Sequence, residues 1–212
     1  EIGSGLVGSE MCIRDSDNGG YATGSGWRDE PLYTQNFPLK CGKGSAYEGG
    51  IREPMIVRWP GTVQPGTRCN DYLIIEDFYP SILEMAGIDD YDVPQEIDGI
   101  SFVPLLKQTK NPSQGRSLYW NCPNIWGEKG PGIGPSCTIR KDNWKMIYFY
   151  ETGEKELYDI PNDIEENNNV AALYPQIINK LSKELGKFLR QTNGQRPSFK
   201  KTGKPCPWPD EI

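Results

Sequence analysis

The chain has 212 residues, a hydrophobic fraction of 36% and 24 glycines, a makeup normal for a globular protein with its own core. Its 29 acidic residues outnumber its 23 basic ones, and the net charge of −6 argues against a nucleic-acid-binding face. The longest apolar stretches, such as PMIV and DYLII, fall far short of a membrane span. Leu6 to Asp15 carry neither a 3.6 nor a 2.0 apolar period, so no element is expected there. Met55 to Trp59 reads as a buried strand between the Gly49-Gly50 turn and the Pro60-Gly61 stop. EDFYPSILEMAG predicts a short helix with Pro80 at its first position and Gly87 as its C-terminal stop. PQEIDGISFVPLL follows as a turn and a short helical or extended piece, and KQTKNPSQGR is a polar linker.

Beyond that linker the pattern changes. RSLYW is strand-like, and Cys137 to Ile160 reads as three strands joined by turns at Lys141-Asp142-Asn143 and Glu151-Thr152-Gly153. From Pro175, Ile177, Ile178, Leu181, Leu185, Phe188 and Leu189 recur at helical spacing, predicting a helix to about Thr192 with one face on the small sheet. The tail KKTGKPCPWPDEI is Pro-rich and irregular. The chain therefore divides near residue 110. Residues 16–110 end an α/β layer, and 111–212 form an α+β subdomain with an antiparallel sheet, a C-terminal helix and a tail.

The first 15 residues stand apart. Back-translated, Leu6 to Asp15 resemble a transposase-type sequencing adapter read in frame, so residues 1–15 are expected to be non-native and the native chain to start at Ser16 or Asp17. Without them, 22 bases face 26 acids, a net of −4. Cys41, Cys69, Cys122, Cys137 and Cys206 then remain, with no C-x-x-C spacing and no histidine in the chain, which leaves a zinc site weakly supported. Five thiols fit either an exported protein with one or two disulfides or free buried cysteines. Cys122 and Cys137 bracket a Gly/Pro-rich loop and are the plausible pair.

Two short motifs can carry chemistry. In DNGG, Asn-Gly is a hairpin-turn signal, while Asp17 and Asn18 also offer hard oxygen ligands to Ca²⁺ or Mg²⁺. In PLKCGKGSAYEGGIREP, Lys43 stands between Gly42 and Gly44, either as a solvated loop lysine or as a point charge for a sulfate or phosphate. Glu48, Arg52 and Glu53 read as a structural ion-pair network.

Taken in order, SDNGG, GKGSAYEGGIREPMIVRWPG, DFYPSILEMAG, DGISFVPLL and ELYDIPNDIEENNNVA resemble the formylglycine-dependent sulfatases of the alkaline-phosphatase-like superfamily. The resemblance runs from Ser16 to about Thr192 and implies an α/β domain followed by a four-stranded antiparallel subdomain and a helix. It also implies Asp17 and Asn18 as metal ligands, usually of Ca²⁺, and Lys43 as the catalytic, substrate-binding lysine that contacts the sulfate. The family's nucleophile motif, C/S-x-P/A-x-R, is absent, as are its first Asp pair and its histidines; Asn121 follows LYW where relatives often carry histidine. The chain is thus expected to be the C-terminal half of a sulfatase, inactive alone, whose formylglycine and signal peptide belong to an upstream half and whose location is periplasmic or extracellular. Trp27 and Arg28, in the loop after DNGG, would stack on and bind a sulfated sugar or pack within the loop, and Asn121 would replace the imidazole as a substrate contact. The expected partner is a sulfated carbohydrate or aryl sulfate, with no nucleic acid, no membrane span and an open oligomeric state. The alternatives are a phosphoryl or phosphonate monoester hydrolase of the same superfamily, or a non-catalytic sulfated-glycan-binding relative.

Overall fold

A computed structural model describes residues 11–15, 19–21, 35–88, 90–125 and 130–212. Asp17, Asn18, Trp27 and Arg28 lie outside the described residues. The chain forms two units. One takes Pro54–Arg116 with the strand β1 (Cys12–Arg14), and the other takes Ser117–Ile212 together with the segment through Glu53. The division falls at Arg116 rather than near 110, and the second unit reclaims the glycine-rich segment around Lys43, which the sequence places with the α/β layer.

In the first unit, β1 pairs antiparallel with β2 (Ile56–Arg58), placing Ile13 opposite Val57. No element was expected in residues 6–15, yet ladder hydrogen bonds are made by backbone and ask only for extended chain, so pairing needs no apolar period. β2 is shorter than expected and not buried: Ile56 is 68% exposed, and β1 is its only ladder partner among the described residues. A single 3-10 turn (Ile75–Asp77) leads into α2 (Phe78–Met85), so Pro80 is the helix's third residue and not its first. It is tolerated there because first-turn N–H groups have no partner within the helix. Gly87, at φ +71°, ends the helix as expected.

Asp77, fully buried, organises this unit. Its carboxylate accepts from Arg116 at 2.6 Å and from the Ile100 and Ile74 backbone N–H groups at 2.8 and 3.0 Å. These bonds tie α2 to the polar linker and to the turn before α3 (Val103–Leu106), the helical alternative for that segment.

In the second unit, β3 (Ser117–Cys122), β4 (Ser136–Lys141), β5 (Trp144–Phe149) and β6 (Lys155–Asp159) form an antiparallel meander in sequence order. Both turns sit where the sequence places them, with Asp142 and Gly153 at positive φ. α4 (Pro175–Gln191) starts at its proline and buries Leu181, Leu185 and Leu189 against Ile139, Met146, Tyr148 and Leu157. The irregular tail completes this core: Cys206 and Trp208 are buried in it, and the Tyr148 hydroxyl donates to the Pro207 carbonyl at 2.9 Å.

All six cysteines are free thiols, so of the two alternatives the disulfide one, with Cys122 and Cys137 as its plausible pair, is not realised. Cys137 lies directly opposite Asn121, so successive residues alternate and Cys122 points to the other face of the sheet. Cβ vectors aimed at opposite faces cannot be bridged without moving backbone. Cys122 and Cys69 are exposed, whereas burial pushes the Cys137 thiol up to about 12. A thiol reagent should therefore label Cys122 and Cys69 in the native protein and Cys137 only after unfolding, as mass mapping would read; a Cys122–Cys137 linked peptide would overturn this account.

Candidate functional site

The site is built on one helical turn. α1 (Glu48–Ile51) comprises EGGI, which the sequence reads as a Gly-Gly turn. A helix is possible because glycines lie where backbone crosses backbone. A Cβ at Gly49 would fall on the Lys40 and Cys41 carbonyls, and one at Gly50 on the Ser45 carbonyl. Gly19 closes on the same turn, where a Cβ would stand 2.5 Å from the Gly49 carbonyl oxygen. The two motifs thus meet: the Lys43 N–H donates to the Gly20 carbonyl at 3.0 Å. Asp17 and Asn18 directly precede Gly19-Gly20 in the chain.

Lys43 is half-buried, between buried Gly42 and exposed Gly44, the latter at φ +86°. Asn36 holds the approach to it. Its Nδ2 lies 3.0 Å from the Gly20 carbonyl, 2.9 Å from that of Cys41 and 3.0 Å from that of Gly49. On the other side, Ser45 Oγ donates to the Pro131 carbonyl at 3.0 Å and the Ala46 N–H to that of Gly132 at 2.9 Å. These bonds seat Pro131 and Gly132, from the Gly/Pro-rich loop between Cys122 and Cys137, beside the Lys43 segment.

Beneath lies a buried charge cluster. Lys145 Nζ, fully buried on β5, is 3.0 Å from Glu48 Oε1 and 2.8 Å from Glu166 Oε1. Glu166 also accepts the Glu48 N–H at 2.6 Å, and Lys40 Nζ donates to the Glu166 carbonyl at 2.8 Å while lying 4.0 Å from the Tyr47 ring centroid. Burial raises the Glu166 carboxyl above its ordinary value, against the lowering pull of Lys145. Glu156 accepts from both Tyr47 and Tyr158 hydroxyls, and burial followed by that carboxylate raises both phenols. Glu48 also pairs with Arg52 at 3.8 Å and Arg140 at 3.9 Å, so the ion-pair reading of Glu48 and Arg52 holds in wider form.

Asn121 belongs to a different environment. Its Nδ2 donates to the Gln195 carbonyl at 2.8 Å and its Oδ1 accepts from the Tyr150 hydroxyl at 3.0 Å, so the amide is engaged at the tail side of the sheet. Among the described residues, no group of three or more His, Cys, Asp or Glu is placed to hold a metal. Asp17 and Asn18 offer a carboxylate and an amide oxygen, donors that fit two positions of a Ca²⁺ or Mg²⁺ shell.

Comparison with known proteins agrees with this architecture. Residues 41–192 match the family model described as N-sulphoglucosamine sulphohydrolase, C-terminal. A sulfatase of Formosa agariphila is 29% identical over 218 residues, covering 97% of this chain and 37% of its own length. The N-acetylglucosamine-6-O-sulfatase of Bacteroides thetaiotaomicron is 28% identical over 194 residues, covering 90% of this chain and 31% of its own length. The crystal structure of Ps i-CgsB in complex with k-i-k-neocarrahexaose superposes with a TM-score of 0.70 at 27% identity, over 89% of this chain and 38% of that one. The chain thus spans about a third of the length of the curated relatives it matches. With its antiparallel meander, its closing helix and the glycine-flanked Lys43 segment all inside or beside the matched span, the chain belongs to the N-sulphoglucosamine sulphohydrolase C-terminal family of sulfatases.

Proposed function

We propose that the whole protein carrying this chain is a sulfatase that hydrolyses sulfate esters of a sulfated carbohydrate, with Lys43 meeting the sulfate. One observation carries the reading: the Lys43 N–H bonds the Gly20 carbonyl, bringing the oxyanion lysine to the segment that follows Asp17 and Asn18. A cation fixed on a glycine-flanked turn can meet charge that develops on sulfate oxygens without having to reorganise. Asp17 and Asn18 would hold Ca²⁺, or Mg²⁺, which when bound withdraws charge from those oxygens. Trp27 and Arg28 would bind the sugar. The nucleophile is a formylglycine outside this chain, since no C/S-x-P/A-x-R motif occurs within it. Carbohydrate as substrate is supported by a relative named N-acetylglucosamine-6-O-sulfatase and by a similar structure solved with k-i-k-neocarrahexaose. A sulfated polysaccharide too large to cross a membrane would place the protein in the periplasm or outside the cell; no described helix is long and apolar enough to cross a membrane.

The test is a side-by-side assay of the full-length protein on 4-nitrophenyl sulfate, 4-nitrophenyl phosphate and a phenylphosphonate ester, with sulfate release from carrageenan and heparin as the natural-substrate arm. Sulfate ester turnover exceeding the other two is expected, and residues 1–212 alone should show none. Faster phosphate or phosphonate turnover would move the assignment within the superfamily. No turnover by the full-length protein, with retained binding to the polysaccharides, would identify a glycan-binding relative.

A further inference from the structure

The geometry points to Asn36 as the positioning residue of this site: its side-chain amide sets where Lys43 stands relative to the segment that follows Asp17 and Asn18. The inference rests on the sulfatase reading above and names a residue to which that reading assigns no role. Three stretches distant in sequence meet at one nitrogen. The Gly20 carbonyl lies 16 residues away, that of Gly49 lies 13 away and that of Cys41 lies five away. An amide NH₂ has two hydrogens, so three carbonyls at 2.9 to 3.0 Å use its donor capacity completely, with one hydrogen shared.

The choice of carbonyls gives the bond set its consequence. Gly20 O is the same atom that accepts the Lys43 N–H, so Asn36 and Lys43 converge on one acceptor. Cys41 lies two residues before Lys43, at φ +61°, and Gly49 is the residue over which Gly19 closes. Asn36 is itself anchored, because its carbonyl accepts the Leu39 N–H at 2.7 Å. Remove the amide, and three inward-facing carbonyls lose a donor at the crossing. The Lys43 turn can then drift from the Gly19-Gly20 segment while the sheet below stays intact. Misplacement of a reacting group by about 1 Å costs on the order of a hundredfold in rate.

The experiment uses the full-length protein and 4-nitrophenyl sulfate. Asn36→Ala should lower kcat by roughly 10- to 100-fold with KM changed by less than about threefold. In the same variant the Lys43 amide should exchange with solvent faster, while amides of β4 and β5 keep their protection. In a Lys43→Ala background the Asn36→Ala change should cost little more, because a residue that acts through Lys43 has nothing left to place. Asn36→Ser, which keeps one short donor, should recover part of kcat, and it carries the test if the alanine variant does not fold. Wild-type kcat with unchanged Lys43 exchange would overturn the assignment, as would a lowered melting temperature alone or full additivity with Lys43→Ala. If the unsubstituted protein turns over no sulfate ester, the sulfatase reading fails, and the exchange arm still decides the role of Asn36.

Discussion

Replacing Lys145 by methionine is expected to destabilise the chain by about 3–5 kcal/mol, because it strands two buried carboxylates. Lys145 is fully buried, and so is Glu166; Glu48 is 6% exposed. With both oxygens within 3.0 Å of one ammonium, the cluster is compensated as it stands. Without the ammonium, Glu48 and Glu166 face each other with only the Glu48 N–H, the distant Arg52 and Arg140 groups and the local dipoles to hold them. The same substitution at Lys141 makes the control. Lys141 also bridges a glutamate, Glu184, at 2.7 Å, yet both partners are partly exposed. Solvent screens such a pair, and its loss should cost no more than about 1 kcal/mol. Urea unfolding followed by tryptophan fluorescence separates the two cases. Equal, small effects would mean that the Lys145 cluster is hydrated. Adding Glu48→Gln and Glu166→Gln to Lys145→Met should recover part of the loss, since the penalty lies in the orphaned charges.

That cluster also explains which parts of the fold were legible in the sequence. The meander was legible because its turns carry residues suited to positive φ and its strands are rich in β-branched and aromatic side chains. α4 was legible because Leu181, Leu185 and Leu189 repeat at four-residue spacing. What periodicity does not announce is the second covering of the sheet. Met146 and Tyr148 face α4 and the tail, whereas Ile147 packs with Tyr47, Tyr158 and Ile160 on the opposite side. Lys145 shares the parity of Ile147, so it is driven under α1, where only a carboxylate pair makes its burial tolerable. Its partners lie 97 residues before it and in the loop after β6, separations that no local pattern spans. The unit boundary was displaced for the same reason. The Lys43 segment belongs with the sheet it covers, although it lies beside Pro54 in sequence. Within the site, the Lys43 turn was legible as a motif, since flanking glycines mark close backbone approach. Asn36 was not, because an Asn before Phe-Pro reads as an ordinary turn residue.

The largest functional effect is expected at Lys43. In the full-length protein, Lys43→Ala should lower kcat/KM for 4-nitrophenyl sulfate by roughly 10²- to 10³-fold, the cost of removing one preorganised charge from an oxyanion site. Most of the loss should fall on kcat, because negative charge on the transferring group grows toward the transition state and the ammonium is worth most there. Stability should fall by no more than about 1 kcal/mol, the worth of a partly exposed polar or ionic contact. Lys43 is half-buried and contributes to neither apolar cluster of its unit, and its backbone bond to Gly20 survives the substitution. Lys43→Arg tests the same point by geometry. The guanidinium keeps the charge but is a planar fork in place of a compact ammonium, so it should restore substrate binding better than turnover. An alanine variant within about threefold of wild type, folded to the same midpoint, would remove Lys43 from the reaction. It would leave the glycine-flanked turn as a structural joint between the Gly19-Gly20 segment and α1. A loss confined to KM would instead place Lys43 in substrate capture, where it meets the sulfate before the bond breaks and no more strongly afterwards.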